Sequence, residues 1–116
     1  DRGFVTYSNQ AKQDMLGVSA ASLDSYGAVS EQVVKEMASG ALAGSCAQWA
    51  LAVSGIAGPG GGSSAKPVGT VWLAWAGPGD WWLAREFCFE GDRDAVRRQA
   101  VLKALDVIVS RCQDLG

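Results

Sequence analysis

The chain has 116 residues, of which 48% are hydrophobic and 19% charged, with a net charge of -2. That length suits one domain, and the balance is globular rather than disordered. The acidic balance argues against a nucleic-acid or membrane-surface binder, and no apolar run reaches the ~18 residues that a membrane helix needs.

Cys46, Cys88 and Cys112 are odd in number, far apart and without CxxC spacing, so neither a disulfide framework nor a zinc site is expected. They lie in apolar stretches and read as buried thiols of a cytoplasmic protein. The sequence contains no histidine, which excludes a His-based triad or zinc site. No metal and no other cofactor is expected.

Residues 3–8 read as a short strand. The chain therefore opens almost inside an element, without Met or a signal peptide, which suggests further sequence upstream. Asn9 is placed to cap a helix over residues 10–16, and Gly17 to end it in the left-handed conformation. Ser19 and Gly27 bracket a second short helix. Ser30 caps a longer one, with Glu31 in its first turn and Val33, Val34, Met37, Ala38 and Ala41 on one face. Gly40 and Gly44 weaken its end.

Residues 47–53 form a nearly continuous apolar run, which reads as a strand inside a sheet. A glycine-rich loop follows, from Ser54 through Gly58-Pro59-Gly60-Gly61-Gly62 to Ser64. Strands over 69–76 and 82–89 are joined by Gly77-Pro78-Gly79-Asp80, a strong hairpin signal. Trp72, Trp75, Trp81 and Trp82 are placed to brace that hairpin across strands or to cover one face. From Gly91-Asp92-Arg93 onward, Val96, Ala100, Val101, Ala104, Leu105 and Ile108 give a helical stripe. The succession predicts a single domain over residues 1–116: a three-layer α/β sandwich with a mixed sheet and flanking helices.

Three groups of residues are placed to carry chemistry. In the glycine loop, backbone N–H groups can approach an anion closely, although a flexible strand connection explains the glycines equally well. The loop is neither a Walker loop nor a dinucleotide fingerprint, because the spacing is wrong and a strand follows. In the second group, Lys12 falls in the first helical turn, where the dipole and partial burial lower its pKa toward a neutral base. Tyr7 would face the same cleft; a solvated lysine and a core-edge tyrosine are the plainer alternative. The third group, Arg93, Arg97 and Arg98, suits a phosphate at a helix start or simply a solvated face. Ser30 and Ser54 are candidate hydroxyl ligands, Ser30 being more simply a cap.

Several segments in order resemble the CinA C-terminal domain family: Gly3-Phe4-Val5-Thr6-Tyr7-Ser8-Asn9, Ala11-Lys12, Leu16-Gly17-Val18 and Gly27-Ala28-Val29-Ser30-Glu31. Ser54-Gly55-Ile56-Ala57-Gly58-Pro59, Lys66-Pro67-Val68-Gly69-Thr70-Val71, Gly91-Asp92-Arg93 and Val96-Arg97 continue the match across nearly the whole chain. The resemblance implies an amidohydrolase that converts nicotinamide mononucleotide to nicotinic acid mononucleotide and ammonia, in pyridine-nucleotide salvage. It places a catalytic lysine at Lys12 and a catalytic tyrosine at Tyr7. Substrate contacts are expected from Ser30, Ser54, Gly55, Ala57, Gly58, Gly60, Gly61, Arg93 and Arg97.

The partner implied is a small nucleotide, with neither nucleic acid nor membrane; a homo-oligomer is left open. In the family the serine nucleophile lies upstream of Gly3, in a stretch like Glu-Ser-Cys-Thr-Gly-Gly that these residues do not contain. The chain is thus expected to be the last two-thirds of the domain, lacking a strand and a helix and leaving apolar surface exposed. The alternatives are a non-catalytic nucleotide-binding or regulatory module and the C-terminal domain of a longer competence- or damage-related protein.

Overall fold

The computed structural model describes residues 1–115. Helices α1 (Asn9–Leu16), α2 (Ala20–Tyr26) and α3 (Glu31–Ala43) come first, then strands β1 (Ala50–Gly55), β2 (Thr70–Gly77) and β3 (Trp81–Cys88), then helix α4 (Arg93–Leu115). The strands form one sheet in the order β1-β2-β3. Helices cover both faces, so the sandwich has the layers expected.

The sheet itself departs from expectation. Both pairings are antiparallel, so among the described residues it is not mixed. The apolar run over 47–53 begins its strand only at Ala50 and lies at an edge; β2 is central. β2 holds that place because it is the strand that packs on both sides, and it is buried almost throughout.

Residues 3–8 are not a strand either. They form an extended arm whose carbonyls and amides pair with no strand, tied down by Arg2 Nη1 donating to Gly44 O (3.0 Å) and by Cys46 N donating to Asp1 Oδ2 (3.1 Å). Phe4, Val5, Thr6 and Tyr7 favour extended backbone, but a strand needs a neighbour to satisfy its backbone.

Period-two alternation in β2 sorts its side chains between the two layers. Val71, Leu73 and Trp75 pack with Val96, Ala100 and Ala104 of α4. Trp72, Ala74 and Ala76 face the other way, toward a core of Leu16, Val18, Leu23, Val33, Val34, Met37 and Ala38. Trp72 and Trp75 therefore straddle the sheet rather than sharing a face. The hairpin turns through Gly79 (φ 73°) and Asp80 (φ 58°), with Gly77 paired to Trp81.

Gly40 does more than weaken α3. A Cβ at that position would sit 1.8 Å from the Leu16 carbonyl oxygen, so the end of α1 crosses α3 at the glycine. Gly40→Ala must force the two helices apart. In the full-length gene product it is expected to cost about 1–3 kcal/mol, as overpacking typically does, read as a lower urea midpoint with the slope unchanged. An unchanged midpoint would show that the crossing is looser than this.

Burial of α4 is narrower than its sequence stripe. Val96, Ala100 and Ala104 are buried, whereas Val101 and Leu105 are 56% and 53% exposed. Leu51 and Val53 of the edge strand are also exposed, at 38% and 43%. Cys46, Cys88 and Cys112 are all exposed and free, which corrects their reading as core thiols. Cys88, for example, is exposed at the end of β3 between half-buried Phe87 and Phe89.

Candidate functional site

Lys12 is buried, with 6% of its surface exposed. Ser8, not Asn9, is the cap of α1, and its hydroxyl accepts from Ala11 N at 3.0 Å. Lys12 therefore lies one place deeper along the helix than expected. There Nζ donates to the carbonyl of Thr6 at 2.8 Å. Burial among apolar groups lowers its pKa below the ordinary value of 10.5, because the charged form loses hydration. One backbone carbonyl offsets only part of that loss.

Lys12 lines an open groove of about 680 Å³. The arm, from Arg2 to Tyr7, forms one side, and Ala50–Val53 of β1 form the floor. Tyr7 stands on the rim and is 96% exposed. The two residues thus border the same space, with the lysine inside it and the tyrosine at its mouth.

A second cavity, of about 510 Å³, is lined by Ala57, Pro59, Val68 and the segment Gly91–Asp94, including Arg93. Arg93 Nη1 donates to Gly58 O at 3.3 Å, tying the glycine loop to the start of α4. Asp92 caps that helix, its Oδ1 accepting from Ala95 N at 2.9 Å. The two cavities share no lining residue. One nucleotide touching every candidate would need Tyr7, Lys12, the loop and an arginine in a single cleft, which the described residues do not form. The reason is topological: α1 lies on the sheet face covered by α3, whereas the loop and the start of α4 lie on the other, and α4 borders the Lys12 groove through Ile108 alone.

The remaining candidates divide by what already occupies them. Ser30 is buried and fully engaged, accepting from Val33 N at 3.3 Å and donating to Gly27 O at 2.8 Å. Ser54 donates to Ala28 O at 2.8 Å. Gly55 ends β1 where a Cβ would come within 2.8 Å of Val71 Cγ2, so close strand packing alone accounts for it. Gly60 and Gly61 lie at the exposed loop tip, and Arg97 is exposed on α4. No cluster of metal-ligating side chains occurs among the described residues.

Two parts of the arrangement were not anticipated from sequence. One is the Thr6 carbonyl that receives Lys12, a backbone group that no side-chain motif reports. The other is Lys66, whose Nζ donates to Tyr26 O at 2.8 Å. The pattern Lys-Pro at the end of a glycine loop was a visible signal, since a long cation there can reach a helix end.

An α/β domain with a buried lysine in an open groove and a tethered glycine loop is the class that this geometry defines. The CinA C-terminal domain profile matches residues 1–112, and the chain belongs to that family. It is 57% identical over 108 residues to the nicotinamide-nucleotide amidohydrolase PncC of Escherichia coli K12, covering 93% of this chain and 66% of that protein. It is 54% identical over 103 residues to a CinA-like protein of Akkermansia muciniphila, covering 89% of this chain and 25% of that one.

Among solved structures, the competence/damage inducible protein CihA of Agrobacterium tumefaciens superposes with a TM-score of 0.93 at 49% identity, covering 95% of this chain and 67% of that chain. The chain spans just under two thirds of the length of the curated amidohydrolases that it matches. No helix among the described residues is long and apolar enough to cross a membrane.

Proposed function

We propose that these residues are the C-terminal two-thirds of a nicotinamide-nucleotide amidohydrolase domain, acting on nicotinamide mononucleotide in the cytoplasm. The observation that carries this reading is Lys12: a lysine held inside a groove by one backbone carbonyl, with its pKa lowered by burial. Likeness to the Escherichia coli amidohydrolase at 57% identity supports the substrate class.

In this reading Lys12, as a neutral amine, removes the proton from a serine hydroxyl supplied by sequence outside these residues. The serine oxygen attacks the amide carbon, and the resulting tetrahedral centre collapses to an ester as the C–N bond breaks. The Lys12 ammonium returns its proton to the departing nitrogen, which leaves as ammonia. Water, activated by the same amine, then hydrolyses the ester to the nicotinic acid nucleotide and frees the serine. Tyr7, at the mouth of the groove, would orient the amide. Backbone N–H groups of the glycine loop, from Gly55 to Gly61, and the guanidinium of Arg93 would border the nucleotide.

The test is ammonia release from nicotinamide mononucleotide by the full-length gene product, without added metal. Release coupled to formation of nicotinic acid mononucleotide is expected. Binding of the nucleotide without release would instead favour a non-catalytic nucleotide-binding module.

A further inference from the structure

Two side chains at the base of the glycine loop converge on one short turn. Ser54, at the exit of β1, donates to Ala28 O at 2.8 Å. Lys66, shortly before β2, donates through Nζ to Tyr26 O at 2.8 Å. Tyr26 is the last residue of α2, so its carbonyl belongs to the unsatisfied, electronegative end of a helix. A lysine ammonium suits that position in charge as well as in hydrogen bonding.

The next residue, Gly27, has a φ of 78°, and a Cβ there would come within 3.3 Å of Lys66 Nζ. The turn thus leaves space for the ammonium. Around Lys66 the chain also closes on itself, with Ser63 N donating to Lys66 O at 2.9 Å and Lys66 N donating to Ser63 Oγ at 3.0 Å. The loop is therefore fixed at its stem while its tip, Pro59 to Gly62, is exposed.

The stem matters because of where it begins. β1 forms the floor of the Lys12 groove through Val53, and Ser54 follows directly. The loop that the stem carries supplies Ala57 and Pro59 to the cavity beside Arg93, so the position of the stem sets that cavity's wall.

We propose that Lys66 is a positioning residue that holds the glycine loop against the α2–α3 turn, and that it thereby acts on nucleotide binding rather than on the chemical step. This rests on the reading of the loop as a wall of the nucleotide pocket. Lys66 makes no contact with the Lys12–Thr6 hydrogen bond, so the ionisation of Lys12 does not depend on it.

The experiment compares Lys66→Met and Lys66→Arg in the full-length gene product, by steady-state ammonia release from nicotinamide mononucleotide and by hydrogen exchange of residues 55–66. Lys66→Met is expected to raise KM about tenfold, the scale of one lost charge-assisted hydrogen bond, with kcat within about twofold and the pH profile unmoved. Loop amides should exchange faster in Lys66→Met. Lys66→Arg, which keeps a donor and a charge, should restore both KM and protection. An unchanged KM, or a fall in kcat that arginine does not restore, would overturn the proposal. If the wild-type protein releases no ammonia, the amidohydrolase reading fails by itself. Hydrogen exchange then decides about Lys66: unaltered loop protection in Lys66→Met removes the positioning role, and faster exchange retains it.

Discussion

Replacing Lys12 by methionine in the full-length gene product is expected to lower turnover about 100- to 10,000-fold, the usual contribution of a general base. Methionine keeps an unbranched apolar stem of similar length and removes only the amine. The groove around Lys12 is lined by Leu16, Met37, Ala41 and Ala52, which accept such a stem readily. KM should change little, because the amine acts on the nucleophile.

The pH profile gives an independent check. Protonated Lys12 has no lone pair, so activity requires its deprotonated form. Burial depresses its pKa below 10.5, and the rate should therefore climb with pH through an ionisation below that of a free lysine. The same depression means that the unfolded chain binds the proton more tightly than the folded one does. The fold is penalised at low pH and recovers as pH rises from the depressed pKa toward 10.5. Lys12→Met should abolish the catalytic limb without lowering the urea midpoint at neutral pH. Tyr7→Phe should cost less, since its ring stands 96% exposed at the groove mouth. Full activity in Lys12→Met would remove it from the mechanism.

Much of the fold could be read from local pattern. The caps Ser19 and Ser30, the left-handed Gly17 and the hairpin at Pro78–Asp80 all follow from residue chemistry that acts within a few positions. The failures came where pairing partners decide. Residues 3–8 carry strand-like side chains but have no strand beside them, and the apolar run over 47–53 forms β1 from Ala50 at the sheet's edge rather than inside it. Likewise α4 has a wide apolar stripe, yet its buried line is Val96, Ala100 and Ala104, with Val107 and Ile108 partly buried and Val101 and Leu105 exposed. The cysteines were misplaced for the same reason: an apolar neighbourhood in sequence does not say which side of the element is covered.

The candidate site was legible in part. Lys12 was picked out by a dipole argument, but its burial and its partner at Thr6 depend on how the arm folds back over α1. Ser30 was identified for two roles, and its two hydrogen bonds are those of a cap. Arg93 and Lys12 were expected to meet because a shared ligand would require it. Among the described residues they border different cavities, which share no lining residue.

Trp75→Ala should produce the largest loss of stability, about 3–5 kcal/mol by the behaviour of buried aromatic truncations, against the 5–15 kcal/mol typical of a whole domain. Trp75 is fully buried at the centre of β2, where it packs with Leu73, Val96 and Ala100. Its Nε1 donates to the carbonyl of Ala104 at 2.9 Å, so one side chain both fills the space between sheet and α4 and fixes the helix along its axis. Alanine removes the ring volume and the donor together. Phenylalanine keeps most of the volume and should cost less, about 1 kcal/mol for one lost hydrogen bond, since the Ala104 carbonyl keeps its helical partner. Trp82 is the control on the same hairpin: it is 43% exposed, with Lys35 Nζ 3.9 Å from its ring. Its replacement by alanine should cost about 1 kcal/mol or less, the scale of an exposed cation–π contact. Urea denaturation of the three variants, followed by far-UV circular dichroism, separates these effects. If Trp75→Ala cost no more than Trp82→Ala, α4 would not be seated on the Val71–Leu73–Trp75 face. The sandwich described for this chain would then be wrong in its second layer.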